Sequence, residues 1–231
     1  MRKIAGAARR VKELIVSGRL EPGVRLDPEL LAAHSRHTVE TSREACALLV
    51  GHGLVALKSD DDYYVEQTGM NDLREVMAVR FLLQGTALRA SIAAGGAEWE
   101  KNLERAYKRL STFQPPAQGR EGENLEKDLL DFLARYREFH QALVSACPVT
   151  KLLSLLDILF DQGARYCRPA DTGTAMLQTI TKPLECWRDP EGHERILLAA
   201  LDRDPEAASE ELRLHLLIRI AAPPQGSIFL N

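Results

Sequence analysis

Apolar residues in the first third of the chain recur at helical spacing, in short runs interrupted by glycine and polar turns. Ala8, Val11, Leu14 and Ile15 form one stripe across a helix over 3–17, and Gly18 stops it. Pro22-Gly23 is a turn signal, and Pro28 suits the first turn of a second helix whose apolar face is Leu30 and Leu31. Ser35 to His37 break the pattern. Thr38 is an N-cap residue for a third helix over 38–50, in which Ala45, Leu48 and Leu49 share a face before Gly51 and Gly53 end it. Two short strands follow, 54–57 and 63–66, with Ser59-Asp60-Asp61-Asp62 at the tip between them. Two helices joined by a polar turn and followed by a ribbon make a helix-turn-helix with a wing. A plain helical hairpin fits the middle of this pattern equally well.

Beyond a linker at Thr68 to Asn71 the pattern is helical: 72–94, 97–112, 124–146, 149–167, a poorly defined piece between 174 and 187, then 190–202 and 205–221. Breakers around Pro115-Pro116 make a loop, and Pro223-Pro224 keeps the last helix from continuing into a tail whose Ile228, Phe229 and Leu230 are suited to dock on a neighbour. Six or seven antiparallel helices make a bundle. The expected fold is mainly α: a winged helix-turn-helix with a small β wing over 1–67, then an all-α bundle over 72–222.

At 231 residues and 45% hydrophobic content the chain has room for two small domains or one large one. Cys46, Cys147, Cys167 and Cys186 show no paired spacing, so neither a zinc ribbon nor a disulfide framework is indicated, and a reducing cytoplasm fits. No apolar run reaches spanning length and the N-terminus lacks a signal-peptide core; a cytoplasmic protein with no membrane partner is expected. The net charge of −3 does not favour nucleic acid, and residues 1–67 balance ten basic side chains against ten acidic ones. Six of those bases precede residue 20, against Glu13 alone. That helix is either a phosphate-binding face or simply a solvated one.

Ser17-Gly18-Arg19-Leu20-Glu21-Pro22-Gly23-Val24-Arg25-Leu26, Leu31-Ala32, Arg43-Glu44-Ala45 and Gly53-Leu54-Val55 come in an order and spacing that resemble, without a gap, the winged-helix domain of GntR-family bacterial transcription regulators. The resemblance implies a protein that binds double-stranded operator DNA as a homodimer, with the third helix in the major groove. Arg36, His37, Thr38, Glu40, Thr41 and Arg43 are its DNA-contact candidates. Two features depart from the family. Val39 stands where the family places a base-facing arginine, removing a contact worth roughly 1 to 3 kcal/mol of discrimination. Three aspartates, Asp60 to Asp62, occupy a wing tip that the family makes glycine-rich and basic, and phosphates repel them. Glu40 either accepts from a cytosine amine or repels phosphate.

His140, His193 and His215 are the sharpest chemistry in the second half; a lone helical histidine is more often a satisfied polar residue than a ligand. Phe139-His140, the run His193-x-x-Ile196-Leu197-x-x-Ala200, then Asp204, Ala207, Ala208 and His215 resemble the FCD ligand-binding domain of the FadR-type branch of the family, and Arg80 matches its first helix. The resemblance implies a divalent metal on the three histidines, zinc or nickel by donor type, with open positions for a small carboxylate effector; Arg80 is either a partner of that carboxylate or a structural ion pair or surface arginine. One turn before His140 the family has an aspartate ligand, whereas this chain has Tyr136, which either fills the interior or hydrogen-bonds the effector. A phenol binds metal poorly unless the metal removes its proton.

The expected function is a non-enzymatic transcription regulator whose DNA binding a small carboxylate controls by shifting the arrangement of two reading heads. Exposed apolar positions on the first bundle helix are the expected dimer contact. The alternatives are a sensor that has lost sequence-specific DNA binding and acts through a partner, motivated by Val39 and the acidic tip, and a metalloenzyme that activates water on three histidines.

Overall fold

The computed structural model describes residues 2–35, 37–58, 62–114, 123–166 and 190–217. Helix α1 (Arg2–Val16) buries Ala7, Ala8, Val11, Ile15 and Val16, while Leu14 is only half-buried. Strand β1 (Arg25–Leu26) escapes a reading by alternation because two residues show no period. Helix α2 (Pro28–Ser35) starts on an Asp27 cap, whose Oδ1 accepts from the Glu29 amide at 2.8 Å. Helix α3 (Val39–Gly51) begins at Thr38 as expected: the Thr38 hydroxyl accepts from the Thr41 amide at 3.2 Å.

Two apolar assignments are corrected. Leu30 is 62% exposed and Leu48 42% exposed. Inward positions on α3 are Ser42, Ala45, Cys46 and Leu49, so Leu48 is turned one position off the buried arc; on α2, Leu31 and Ala32 face in. Strands β2 (Val55–Leu57) and β3 (Tyr63–Val65) complete the wing, but the sheet has three antiparallel strands in the order β1-β3-β2 rather than two. Tyr63 pairs with Leu26 on one side and Leu57 on the other. A first core runs through α1, α3 and this sheet, from Ala7 to Val65.

The second core spans Leu73 to Leu216 and is built by α4 (Met70–Ala94), α5 (Ala97–Ser111), α6 (Glu123–Val144), α7 (Thr150–Ala164), α8 (Pro190–Leu201) and α9 (Pro205–Leu217). The helical piece expected between 174 and 187, residues 218–221 of the last helix, and the tail lie outside the described residues. Helix α4 is 25 residues long and, contrary to the sequence expectation, is apolar enough to count as a membrane span by length and composition. It packs against α6, α7 and α9 and carries buried Arg80 and Gln84, as the central helix of a bundle does. Cys46 and Cys147 are buried free thiols, and burial pushes Cys46 up to about 11, so it stays protonated at neutral pH.

Helices α8 and α9 fold back on each other at Asp202 to Asp204. Arg203 adopts φ 58°, and its guanidinium donates to the Ile92 and Gly95 carbonyls at 2.6 and 2.7 Å, anchoring the turn on the end of α4. Asp204 Oδ1 then caps α9, accepting from the Glu206 and Ala207 amides at 3.1 and 2.9 Å. Fully buried Ala200 and Ala208 let the two helices approach closely.

The end of α7 ties the two cores together through polar contacts. Lys12 donates to both Asp161 oxygens at 3.0 and 2.9 Å, and Gln162 donates to the His52 carbonyl at 2.9 Å. Gly53, at φ 64°, leaves room for that amide: a Cβ there would lie 2.5 Å from Gln162 Nε2. Arg165 pairs with Asp72 at 3.0 Å, and Tyr166 donates to the same carboxylate. Burial, reinforced by Asp72, pushes the Tyr166 phenol well above its ordinary value.

Replacing Asp204 by alanine removes the α9 cap and is expected to lower stability to urea by about 1 kcal/mol, with Asp204→Asn losing less. Equal stability of wild type and Asp204→Ala would show that the cap does not hold the hairpin.

Candidate metal centre and reading helix

The bundle brings the three predicted histidines into one place. His193 and His215 lie eleven residues either side of Asp204, so an antiparallel hairpin turning there sets them level. Their rings are 4.2 Å apart between centroids. His140 enters from α6, with its ring 5.3 Å from that of His215 and 5.6 Å from that of His193. All three are buried, and one nitrogen from each falls within 4.8 Å of the others. Three imidazoles so placed are a donor set for a divalent ion of the zinc or nickel type.

Tyr136 stands one helical turn before His140 on the same face of α6, as i, i+4 spacing requires. Its ring lies 4.3 Å from that of His140, and its hydroxyl is 3.4 Å from His215 Nε2. The same hydroxyl accepts from Arg80 Nη2 at 3.0 Å. Arg80 is 1% exposed, the largest side chain among the fully buried residues, and its guanidinium also lies 4.1 Å from the centre of the Phe160 ring. Tyr136 and Arg80 thus form one buried pair at the edge of the histidine cluster.

Sequence reading missed Gln84, one turn after Arg80 on α4. Arg80 Nε can only donate, so the Gln84 atom it meets at 3.1 Å is the amide oxygen. The amide nitrogen therefore faces His140 Nδ1 at 2.8 Å and donates to it. An Nδ1 that accepts belongs to the tautomer with its proton on Nε2. Metal-bound imidazoles ordinarily donate from the second nitrogen to an acceptor. Coordination through His140 Nε2 accordingly needs Gln84 to present its oxygen to Nδ1. Donor type, spacing and burial fit a metal, and among the described residues Gln84 is a neighbour that has to turn. An Arg-x-x-x-Gln spacing on an apolar helix was the available signal.

On the DNA side, Thr38 is exposed but its hydroxyl is shared between the Thr41 amide and, at 3.0 Å, the Thr41 hydroxyl. Thr41 and His37 are half-buried, and Arg36 lies outside the described residues. Glu40, Arg43, Glu44, Ala47 and Leu48 form the exposed stripe of α3, so Arg43 is flanked there by two acids. Asp60 and Asp61 lie outside the described residues. Asp62 is held by Arg25, at 2.7 Å from Nε to Oδ2, which offsets its repulsion of phosphate. On α1 and its end, Arg10 pairs with Glu13 at 3.3 Å and Arg19 with Glu126 at 2.6 Å, and Lys12 is drawn to Asp161. Half of the six early bases therefore serve the chain's own carboxylates.

Residues 75–217 match the FCD domain family. The chain belongs to the GntR family of transcriptional regulators, in its FCD-domain branch. It is similar to the HTH-type transcriptional regulator BphR of Paraburkholderia xenovorans (strain LB400), with 33% identity over 92% of this chain and 82% of that one. The HTH-type transcriptional repressor GlaR of Escherichia coli (strain K12) is 29% identical over 91% of this chain and 90% of its own. Among solved structures, E. coli McbR/YncC superposes with a TM-score of 0.69 at 19% identity, covering 93% of both chains, a likeness of fold. As a GntR regulator with an FCD domain, the chain is a transcription factor and not an enzyme.

Tyr136→Phe takes the hydroxyl acceptor from a buried donor of Arg80. It is expected to cost about 1–3 kcal/mol in urea unfolding. An unchanged midpoint and slope would show that Arg80 does not lean on Tyr136.

Proposed function

We propose that this GntR regulator binds operator DNA as a cytoplasmic homodimer through residues 1–67, and that a small carboxylate sensed in a metal-containing bundle over 72–222 controls that binding. The observation that carries this reading is the convergence of three histidine nitrogens within 4.8 Å beside a buried arginine. His140, His193 and His215 would hold the ion, and Arg80, hydrogen-bonded to Tyr136, would face the effector carboxylate. A divalent metal bound there supplies an electrophilic position to which a carboxylate oxygen coordinates. Tyr136 helps set the direction of the guanidinium through its neutral oxygen. Val79 and Leu82, exposed on one face of α4, supply apolar positions for the dimer contact. Thr38, Arg43 and the basic residues of α1 meet the DNA, with Arg36, His37, Glu40 and Thr41 beside them.

The exposed stripe of α3 favours a second reading. Arg43 between Glu40 and Glu44, with Val39 in place of arginine, suits a sensor that works through a partner rather than by reading bases. Fluorescence anisotropy separates the two. On DNA from upstream of the protein's own gene and on a scrambled duplex, at two salt concentrations, the regulator reading expects a preference for the native sequence and a salt slope that counts neutralised phosphates. Equal, weak binding to both duplexes would leave the partner-dependent sensor. Sedimentation of the free protein as a monomer would refute the homodimer.

Gln84→Glu places a carboxylate that accepts from Arg80 Nε and from a proton on His140 Nδ1 together. Zinc affinity, measured by competition with a chromophoric chelator, is expected to rise by about tenfold. Unchanged or weaker affinity would contradict the part assigned to Gln84, and wild-type protein that takes up no zinc, nickel or other divalent ion would refute the metal centre itself.

A further inference from the structure

Near its N-terminus the outward stripe of α3 carries two charged tips, Glu40 and Arg43, and neither has a hydrogen-bond or ion-pair partner among the described residues. The other side chains of that turn are occupied. Val39 is half-buried, Ser42 is buried, and the Thr38 and Thr41 hydroxyls bond each other at 3.0 Å. The Thr41 amide closes the cap on Thr38 at 3.2 Å, so Glu40 is presented from a fixed first turn and not from a frayed end. Helices α1 and α2 pack on the opposite side of α3.

In a helix-turn-helix the N-terminal residues of the second helix approach base edges. An acid at that place cannot bond a phosphate, and the groove takes water from it. It must meet a donor or remain a desolvated charge without a partner. Two base groups donate in the major groove, the N4 amine of cytosine and the N6 amine of adenine; guanine N7 and O6 and thymine O4 only accept. The adenine amine stands beside its own N7 acceptor, which repels the second carboxylate oxygen. The cytosine amine stands beside a C–H and brings no such repulsion.

We propose that Glu40 is a base-reading residue of this regulator, accepting from the N4 amine of a cytosine in each half of a two-fold operator. This rests on the reading above of residues 1–67 as part of an operator-binding homodimer, and names a base that the homodimer selects. The same carboxylate lowers affinity for every duplex, because phosphates repel it. Glu40 therefore works mainly by rejection: guanine or thymine at that position leaves its charge facing an acceptor.

The test is selection from a random duplex library by the full-length protein, as wild type, Glu40→Ala, Glu40→Gln and Glu44→Ala. Glu40 and Glu44 are both exposed, and each variant is expected to unfold in urea as wild type does. Wild type is expected to select cytosine at one position of each half-site. Glu40→Ala loses that preference and keeps the others, while Glu40→Gln moves it to adenine, whose N6 and N7 an amide matches. Glu44→Ala removes the same charge one turn later and keeps the cytosine. Fluorescence anisotropy on the selected duplex measures the effect. Exchanging that C·G pair for T·A is expected to weaken wild type at least about tenfold and Glu40→Ala less than about threefold. Wild-type base preferences in Glu40→Ala, with affinity raised equally for all duplexes, would overturn the assignment and reduce Glu40 to a repelling charge. Loss of the cytosine in Glu44→Ala would overturn it too. Failure of operator reading itself reads out separately, as a wild type that enriches no sequence, and both readings then fall.

Discussion

Burying a guanidinium in the middle of a helical bundle is the constraint to which much of this structure answers. Arg80 cannot be deprotonated, and an isolated charge of its size is excluded from an apolar interior at a cost of several kcal/mol. It is nonetheless 1% exposed. Its neighbours are chosen accordingly: Gln84 gives an oxygen one turn along the same helix, Tyr136 gives another across the bundle, and Phe160 lays its ring beneath the guanidinium plane. Each neighbour carries a second duty. Gln84 hands its amide protons to His140, Tyr136 approaches His215, and Phe160 walls a cavity beneath α1. Arg80, His140 and His215 are therefore parts of one hydrogen-bonded network, in which the choice of acceptor at Arg80 sets the tautomer of His140.

The histidine cluster depends on a more local device. Two helices of similar length folding at Asp204 place residues equidistant from the turn opposite one another, and small residues at Ala200 and Ala208 keep the helices close enough for side chains beyond them to meet. Arg203 reaches out of a left-handed turn to the end of α4 and so fixes where the hairpin sits on the bundle. The level of His193 and His215 is thus set by a cap, a turn and two alanines.

Several polar contacts between the two cores gather at the end of α7 and just beyond it. Asp161 reaches α1, Gln162 the end of α3, and Arg165 and Tyr166 the start of α4. Lys12 shows how this alters the charge available to DNA. In sequence it is one more base on a basic helix; in the fold it is committed to Asp161. Asp62 undergoes the opposite change, from a repulsive wing residue to the partner of Arg25.

Element order, most helix boundaries, the wing and the identity of the three histidines were legible in the sequence, because helical periodicity, caps and glycine stops are local properties of consecutive residues. The symmetry of His193 and His215 about Asp204 became apparent only once the structure showed a hairpin turning there. The two-residue strand β1 was not legible, since pairing with β3 and not any local preference makes it a strand. Which side of a short helix faces inward was also misread at Leu30 and Leu48: an apolar residue one position off the buried arc looks the same in sequence as one on it. Gln84, the commitment of Lys12 and Asp62, and the cavity under α1 depend on side chains brought together from positions far apart in the chain. By itself, then, the sequence determined the helices, their order and the donor types at the centre. Only the tertiary structure decided which polar groups satisfy one another, because in a low-dielectric interior that choice is made by distance and direction between elements, and no periodicity records it.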